Sequence, residues 1–300
     1  MRDRGPIILP LDGSDLAAGA LPYAEALARA TGEPIVMLAV WEGIENELGS
    51  SFPSMALEIQ EKAQEHFNTY LTSMKANISG VEVETLIRAG QPEQEILRVA
   101  EERQARFIVL ATHGRSGISR WAYGSTAGHI LRNGAIPVLA AGPHALEDVK
   151  RDVTFRHVMC PLDGSERSEA ALPLATEIAT RIGGRLSLVR VVRWAVQAYP
   201  YTLPSSYIPQ VDDELEASAK EYLRRVESGI SGLERSSYVV RGSIAEGLLE
   251  FIDKESVDLV VMTTHARAGL ARMALGSVAD RLLQAPVPVL MIPPAEVAGA

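Results

Sequence analysis

A single cysteine, Cys160, stands among 300 residues, and that scarcity removes both a disulfide framework and a cysteine-built zinc site. Its context, VMCPLD, places it inside a strand as a small buried hydrophobe. Long apolar runs are missing too. None approaches the eighteen or so residues that a membrane helix requires, and Met1 to Pro6 carries charge directly before a strand-like run in place of a signal-peptide core. A cytoplasmic location is the expectation. Positive charge is in deficit, 29 Lys and Arg against 38 Asp and Glu for a formal net charge of -9, which argues against a basic nucleic-acid surface. Glycine and proline are thinly spread and no polar tract occurs. With 47% hydrophobic and 22% charged residues, the chain reads as globular without a disordered tail.

What is present is a repetition, in a chain long enough for two cores of ordinary size. ILPLDGSDLAAGALPYAEALA (Ile8 to Ala28) returns as MCPLDGSERSEAALPLATEIA (Met159 to Ala179). PIVMLAVW (Pro34 to Trp41) returns as RLSLVRVV (Arg185 to Val192), and RFIVLATH (Arg106 to His113) as VDLVVMTTH (Val257 to His265). Equivalent residues stand 151 or 152 apart. Two copies of one domain are therefore expected, at 1–145 and 152–296, joined near the polar stretch PHALEDVKRD (Pro143 to Asp152).

Within each copy short apolar runs alternate with helical patterns, as βαβ units around a parallel sheet require. In copy one the strands are expected at Pro6 to Asp12, Pro34 to Trp41, Val81 to Arg88, Phe107 to Thr112 and Ala135 to Ala140. Ser14 or Asp15 is placed to cap a first helix carrying Leu16, Leu21, Ala24 and Leu27, and Gly32 to end it. Pro22, matched by Pro173, fits as a kink or an early-turn residue. A second helix carries Ile59, Ala63, Phe67 and Leu71, and a third Ile96, Leu97 and Ala100. Both stripes read as core. VEVETLI alternates polar and apolar where the other strands run continuously apolar, which marks an edge strand and favours the order 3-2-1-4-5. The expected fold class is α/β: two tandem doubly wound domains, each a Rossmann-like five-stranded parallel sheet.

In such sheets ligands bind beyond the carboxyl ends of the strands, where the strand order reverses. That point lies between strand one, ending in Leu11-Asp12-Gly13-Ser14, and strand four, ending in Ala111-Thr112-His113-Gly114. The chain then runs to Gly124-Ser125-Thr126, which opens the last helix with Ser125 as the expected N-cap. A helix N-terminus offers N–H groups and partial positive charge to a phosphate, and glycines at 114 and 124 let the backbone approach. Neither G-x-x-x-x-G-K-[ST] nor, after strand one, G-x-G-x-x-G occurs, so phosphate charge would be met by main-chain donors, hydroxyls and Arg115 or Arg120. Asp12 suits a sugar hydroxyl or a metal-bound water, and either it or Asp163 could instead cap the helix that follows it. His113 and His265 occupy matching places, yet no nearby nucleophile or carboxylate cluster accompanies them, and a loop-ordering hydrogen bond is their expected role.

These residues resemble the universal stress protein family in its tandem form, over nearly the whole chain. The ATP-binding branch of that family carries G-x-x-G, nine residues, then G-[ST], after strand four. Copy one follows it through Gly114, Gly124 and Ser125 and departs at Ala111; copy two keeps Gly276 and Ser277 but has Thr263 and Ala266 in place of the first two glycines. The resemblance implies that Asp12 and Val40 hold the ribose and adenine end of ATP, taken with or without Mg2+. It implies that Gly114, Gly124, Ser125 and Thr126 hold the phosphates, within a segment that also brings Ala111, Thr112, His113 and Arg115. The second-copy counterparts are Asp163, Val191, Thr263, Ala266, Gly276, Ser277 and Val278. A Cβ at 266, where the loop needs a bare or left-handed backbone, costs about 1 kcal/mol or more, which is close to tenfold in affinity. Copy one is thus expected to bind ATP and copy two to bind it weakly or not at all.

By the same resemblance the last strands, Ile136 to Ala141 and Val287 to Ile292, are expected to pair across a pseudo-twofold axis within the chain, with further homodimerisation of whole chains. The implied function is a nucleotide-dependent sensor or regulator in the stress response. The alternative is a slow ATPase or nucleotidyl-transferring enzyme using the same crevice, which the want of a phosphate-directed lysine and an evident general base disfavours. The segments after strand two, Trp41 to Met55 and Arg193 to Gln210, differ most between the copies and read as lids, partner surfaces or loops packed on their own domain.

Overall fold

The computed structural model describes residues 4–42, 53–112, 124–147, 149, 152–194, 208–264 and 275–293. The chain divides into two units, Met1–Val153 and Thr154–Ala300. In the first, β1 (Ile7–Pro10) leads through α1 (Asp15–Ala18) and α2 (Leu21–Thr31) to β2 (Ile35–Trp41). Then come α3 (Pro53–Lys75), β3 (Val83–Ala89), α4 (Pro92–Glu102), β4 (Phe107–Ala111), α5 (Ser125–Asn133), β5 (Val138–Ala141) and α6 (Pro143–Glu147). The strands lie in the order β3-β2-β1-β4-β5 and all pairs are parallel, with Ile7 opposite both Ile35 and Phe107 and Ile108 opposite Val138. This is the expected order. It follows from burial: Ile7, Ile8, Leu9 and Phe107 to Val109 are inaccessible on both faces, as central strands require, whereas β3 buries only Val83 and takes the edge.

The helices match the sequence less evenly. The first is broken at Gly19 and Ala20 into α1 and α2, with Pro22 in the first turn of α2, where its missing N–H leaves no bond unmade. Ser14 caps α1, its Oγ accepting the Ala17 N–H, and Gly32 ends α2 at φ 74°. Along α3 only Ala56 and Leu71 are fully buried, while Ile59, Ala63 and Phe67 are half-buried, so that stripe is a margin and not a core. The helix lies over β3 and β2, at the half-solvated edge of the sheet. In α4 the core residues are Ile96, Val99 and Ala100.

The second unit repeats the plan: β6 (His157–Pro161), α7 (Glu166–Glu169), α8 (Leu172–Arg181), β7 (Arg185–Val192), α9 (Ile208–Ser228), β8 (Glu234–Arg241), α10 (Ile244–Glu255), β9 (Leu259–Thr263), α11 (Ser277–Leu282) and β10 (Val289–Ile292). Its order is β8-β7-β6-β9-β10, again parallel. Cys160 lies buried in β6, and burial pushes its thiol pKa up to about 12, so it has no thiolate character near neutrality.

Candidate functional site

At the carboxyl ends of β1, β2 and β4 the first unit holds a cavity of about 290 Å3. One wall is apolar: Leu38 and Val40 from β2, Leu110 from β4, Pro92 and Ile96 from α4, and Ile130 from α5. Alternation along a strand explains the β2 pair, since residues two apart share a face. The other wall is polar, built from Asp12 and from Gly124, Ser125 and Thr126 where α5 begins. The cavity therefore sits at the reversal of strand order between β1 and β4, at the small end of the size range of ligand pockets.

Asp12 is fixed by its own turn. Its carboxylate accepts the Ser14 N–H at 2.9 Å and the Ser14 hydroxyl at 2.6 Å, while Gly13, at φ 82°, makes the bend that a side chain would strain. Ser14, so held, caps α1. Asp12 thus orients the cap without being it, and still lines the cavity.

At α5 the expectation of Ser125 as N-cap is corrected by one residue. Gly124 is the N-cap, at φ -53° and ψ 149°, and Ser125 is the first helical residue. Glycine carries no side-chain acceptor, so the N-cap residue itself supplies no side-chain bond to this terminus. Its first-turn N–H groups and the positive end of the helix dipole stand beside the cavity lined by Ser125, Thr126 and Ala127. The terminus is anchored from behind: the Gly124 N–H donates to the Thr112 carbonyl at 2.9 Å, and the Thr112 N–H to Ala141 at 3.0 Å.

Of the residues singled out in copy one, Asp12, Val40, Ala111, Gly124, Ser125 and Thr126 come together in the cavity lining, and Thr112 lies buried directly behind it. His113, Gly114, Arg115 and Arg120 lie outside the described residues, as does Ala266 with His265 in copy two. The apolar wall of Leu38, Ile96, Leu110 and Ile130 escaped the sequence reading because such residues read as core. For Leu38 its parity with Val40, and for Leu110 its nearness to the end of β4, were the available signals; Ile96 and Ile130, on helices, offered none.

In the second unit Asp163 repeats the Asp12 turn, accepting the Ser165 N–H at 2.9 Å and its hydroxyl at 2.6 Å. Thr263 ends β9, Gly276 is the N-cap of α11, and Ser277 and Val278 open that helix. The surroundings differ. Gly247 of α10 brings its backbone so close to β7 and β8 that a Cβ there would lie 3.1 Å from Val240 and 3.4 Å from Val191. The first unit has Glu95 at this place. Arg190, where the first unit has Ala39, lays its guanidinium 4.8 Å over the Tyr222 ring and against Gly164. Of the aromatic segment after β7, Trp194 is described: it is exposed, with Arg241 5.3 Å over its ring. The remainder, and residues 43–52 in the first unit, lie outside the described residues.

Among the described residues no group of three or more His, Cys, Asp or Glu side chains is arranged to hold a metal ion, and no helix is long and apolar enough to cross a membrane.

A family profile matches twice, over residues 4–141 and 154–293, and it is that of the Universal stress protein family. The chain belongs to that family. Among curated universal stress proteins, one from Mycobacterium tuberculosis is 31% identical over 189 residues, an alignment covering 63% of this chain and 62% of that relative. One from Mycolicibacterium smegmatis is 26% identical over 296 residues, 96% of this chain and 97% of the relative. Among solved structures, a universal stress protein from Archaeoglobus fulgidus superposes with a TM-score of 0.68 at 21% identity, covering 96% of this chain and 98% of that one. These structural likenesses carry the fold.

Proposed function

We propose that the first unit of this universal stress protein binds ATP in the cavity beside α5, and that occupancy makes the chain a nucleotide-dependent regulator in the cytoplasm. One observation carries the reading: a helix N-terminus whose N-cap is a glycine lines a cavity together with a carboxylate and a set of apolar side chains. An anionic tail fits the amides of Ser125 and Thr126, a ribose hydroxyl fits Asp12, and a flat base fits against Val40 and Leu38. The second unit is the weaker site, because Ala266 adds a Cβ in the phosphate loop and α10 lies close on Val191. Binding, not turnover, is the activity this supports.

Mass spectrometry of small molecules released by heating the purified chain, with calorimetric titration of ATP, tests the proposal. One tight site per chain is the expected result. Two equal sites, or none, would overturn it, and phosphate release at ordinary kinase rates would overturn the preference for binding over turnover.

A further inference from the structure

The segment that leaves the first unit is tied to two walls of the cavity. β5 ends at Ala141, whose carbonyl accepts the Thr112 N–H at 3.0 Å, and Thr112 in turn accepts the N–H of Gly124 in the cavity lining. Two residues beyond Ala141, α6 begins, with the Leu146 N–H donating to Gly142 at 3.2 Å. Its other side meets α1 and α2. The buried Tyr23 hydroxyl donates to the Ala145 carbonyl, and a Leu146 methyl lies 3.1 Å from where a Cβ on Gly19 would stand. α1, which ends just before Gly19, contributes Ala17 to the cavity, and its cap Ser14 is held by Asp12 in the same lining. Burial raises the Tyr23 pKa to about 12, so its proton remains available to Ala145 throughout the neutral range.

We infer that occupancy of the cavity fixes α6 against α1 and α2, so that α6 registers whether ligand is bound. This rests on reading the cavity as a nucleotide site. A ligand shifts an equilibrium only as far as it interacts differently with the two states. Here the difference lies in α1: contacts to Asp12 and Ala17 require that helix in place, and it is held in place when Leu146 packs on Gly19 and Tyr23 bonds to Ala145. Such coupling is reciprocal, so loosening α6 weakens the ligand by the same factor that the ligand protects α6. Tyr23 and Leu146 do not line the cavity and are positioning residues.

The test is amide hydrogen exchange over residues 143–147 in the full chain, with and without ATP, alongside calorimetric ATP affinity for wild type, Tyr23→Phe and Leu146→Ala. ATP is expected to slow exchange of the Leu146 amide, and both variants to lose that protection and bind ATP roughly fivefold more weakly. Thermal midpoints read in parallel separate this from unfolding, and Leu146→Ala, at a half-buried site, serves should Tyr23→Phe not fold. ATP binding to wild type without altered exchange over 143–147, or folded variants of unchanged affinity, overturns the coupling and leaves the nucleotide site standing. A wild type that binds no ATP overturns both.

Discussion

His157 and Ser187 meet inside the second unit, Nε2 2.7 Å from Oγ, with both side chains buried. Nδ1 of the same ring lies 3.0 Å from the Glu255 carbonyl, so the neutral ring that donates there from Nδ1 accepts the Ser187 hydroxyl at Nε2. Burial holds the His157 pKa below its usual 6.5, and the Arg185 guanidinium pushes the same way. Beside it the Asp258 carboxylate accepts the backbone N–H groups of Arg156 and His157. Burial outweighs those donors and lifts the Asp258 pKa from 3.8 to about 6.

The two groups make opposite contributions to acid stability. His157, whose pKa falls on folding, adds stability that is present above pH 6.5 and lost as the pH drops through its folded value. Asp258, whose pKa rises on folding, adds stability that is present below pH 3.8 and lost as the pH rises through about 6. Within that interval Asp258 offsets part of the loss from His157. Asp258→Asn removes the offset, so calorimetric melting of the variant should fall more steeply on acidification from pH 6 to 3.8 than that of wild type. Parallel curves would refute this account.

Arg106 stands at the place in the repeat that Asp258 fills in the second unit. Its guanidinium lies 3.2 Å from Glu33, with side chains only 3% and 8% exposed, and Glu33 also accepts the Gly5 N–H. Removing one partner of so buried a pair strands the other charge, so Arg106→Ala should cost about 3–5 kcal/mol in denaturant unfolding of the first unit. Arg106→Met with Glu33→Gln, neutral and still offering Gly5 an acceptor, should cost much less. Equal losses for both would contradict the pairing argument.

Asp12 has two tasks that substitution can separate. Asp12→Asn keeps an acceptor for the Ser14 amide and loses charge, whereas Asp12→Ala loses both. Calorimetric ATP affinity should fall about tenfold for the alanine variant and less for asparagine. Asp163→Ala, in the second unit, should leave the affinity of the proposed first-unit site unchanged; a loss there equal to that of Asp12→Ala would reverse the proposed assignment of the two units.

Ala266→Gly removes a Cβ from the segment proposed to meet phosphate in the second unit. If the added Cβ is what weakens that unit, ATP affinity there should rise about tenfold. No rise, with a rise instead in Gly247 variants that hold α10 away from Val191, would move the cause to the base end of the crevice.

Strand order was legible because burial on one face or two leaves different marks, alternating in β3 and unbroken in β1 and β4. The polar half of the candidate site was legible because Asp12 and Gly124 to Thr126 stand at the strand and helix ends that converge where the strand order reverses. Of its apolar half only Val40 was named, through the family resemblance, since Leu38, Ile96 and Ile130 carry the same periodicity whether they face protein or a cavity. The misplaced cap arose because glycine and serine, both acceptable as N-caps, stand side by side at 124 and 125, and only the backbone angles choose between them. In α3 the four-residue spacing of Ile59, Ala63 and Phe67 promised burial that a sheet edge cannot supply.

The bond from Gly124 to Thr112 has a mechanical consequence. It joins the end of β4 to the N-cap of α5, and Thr112 also pairs with Ala141 of β5, so the start of α5 is set by the same residue that closes the β4–β5 ladder.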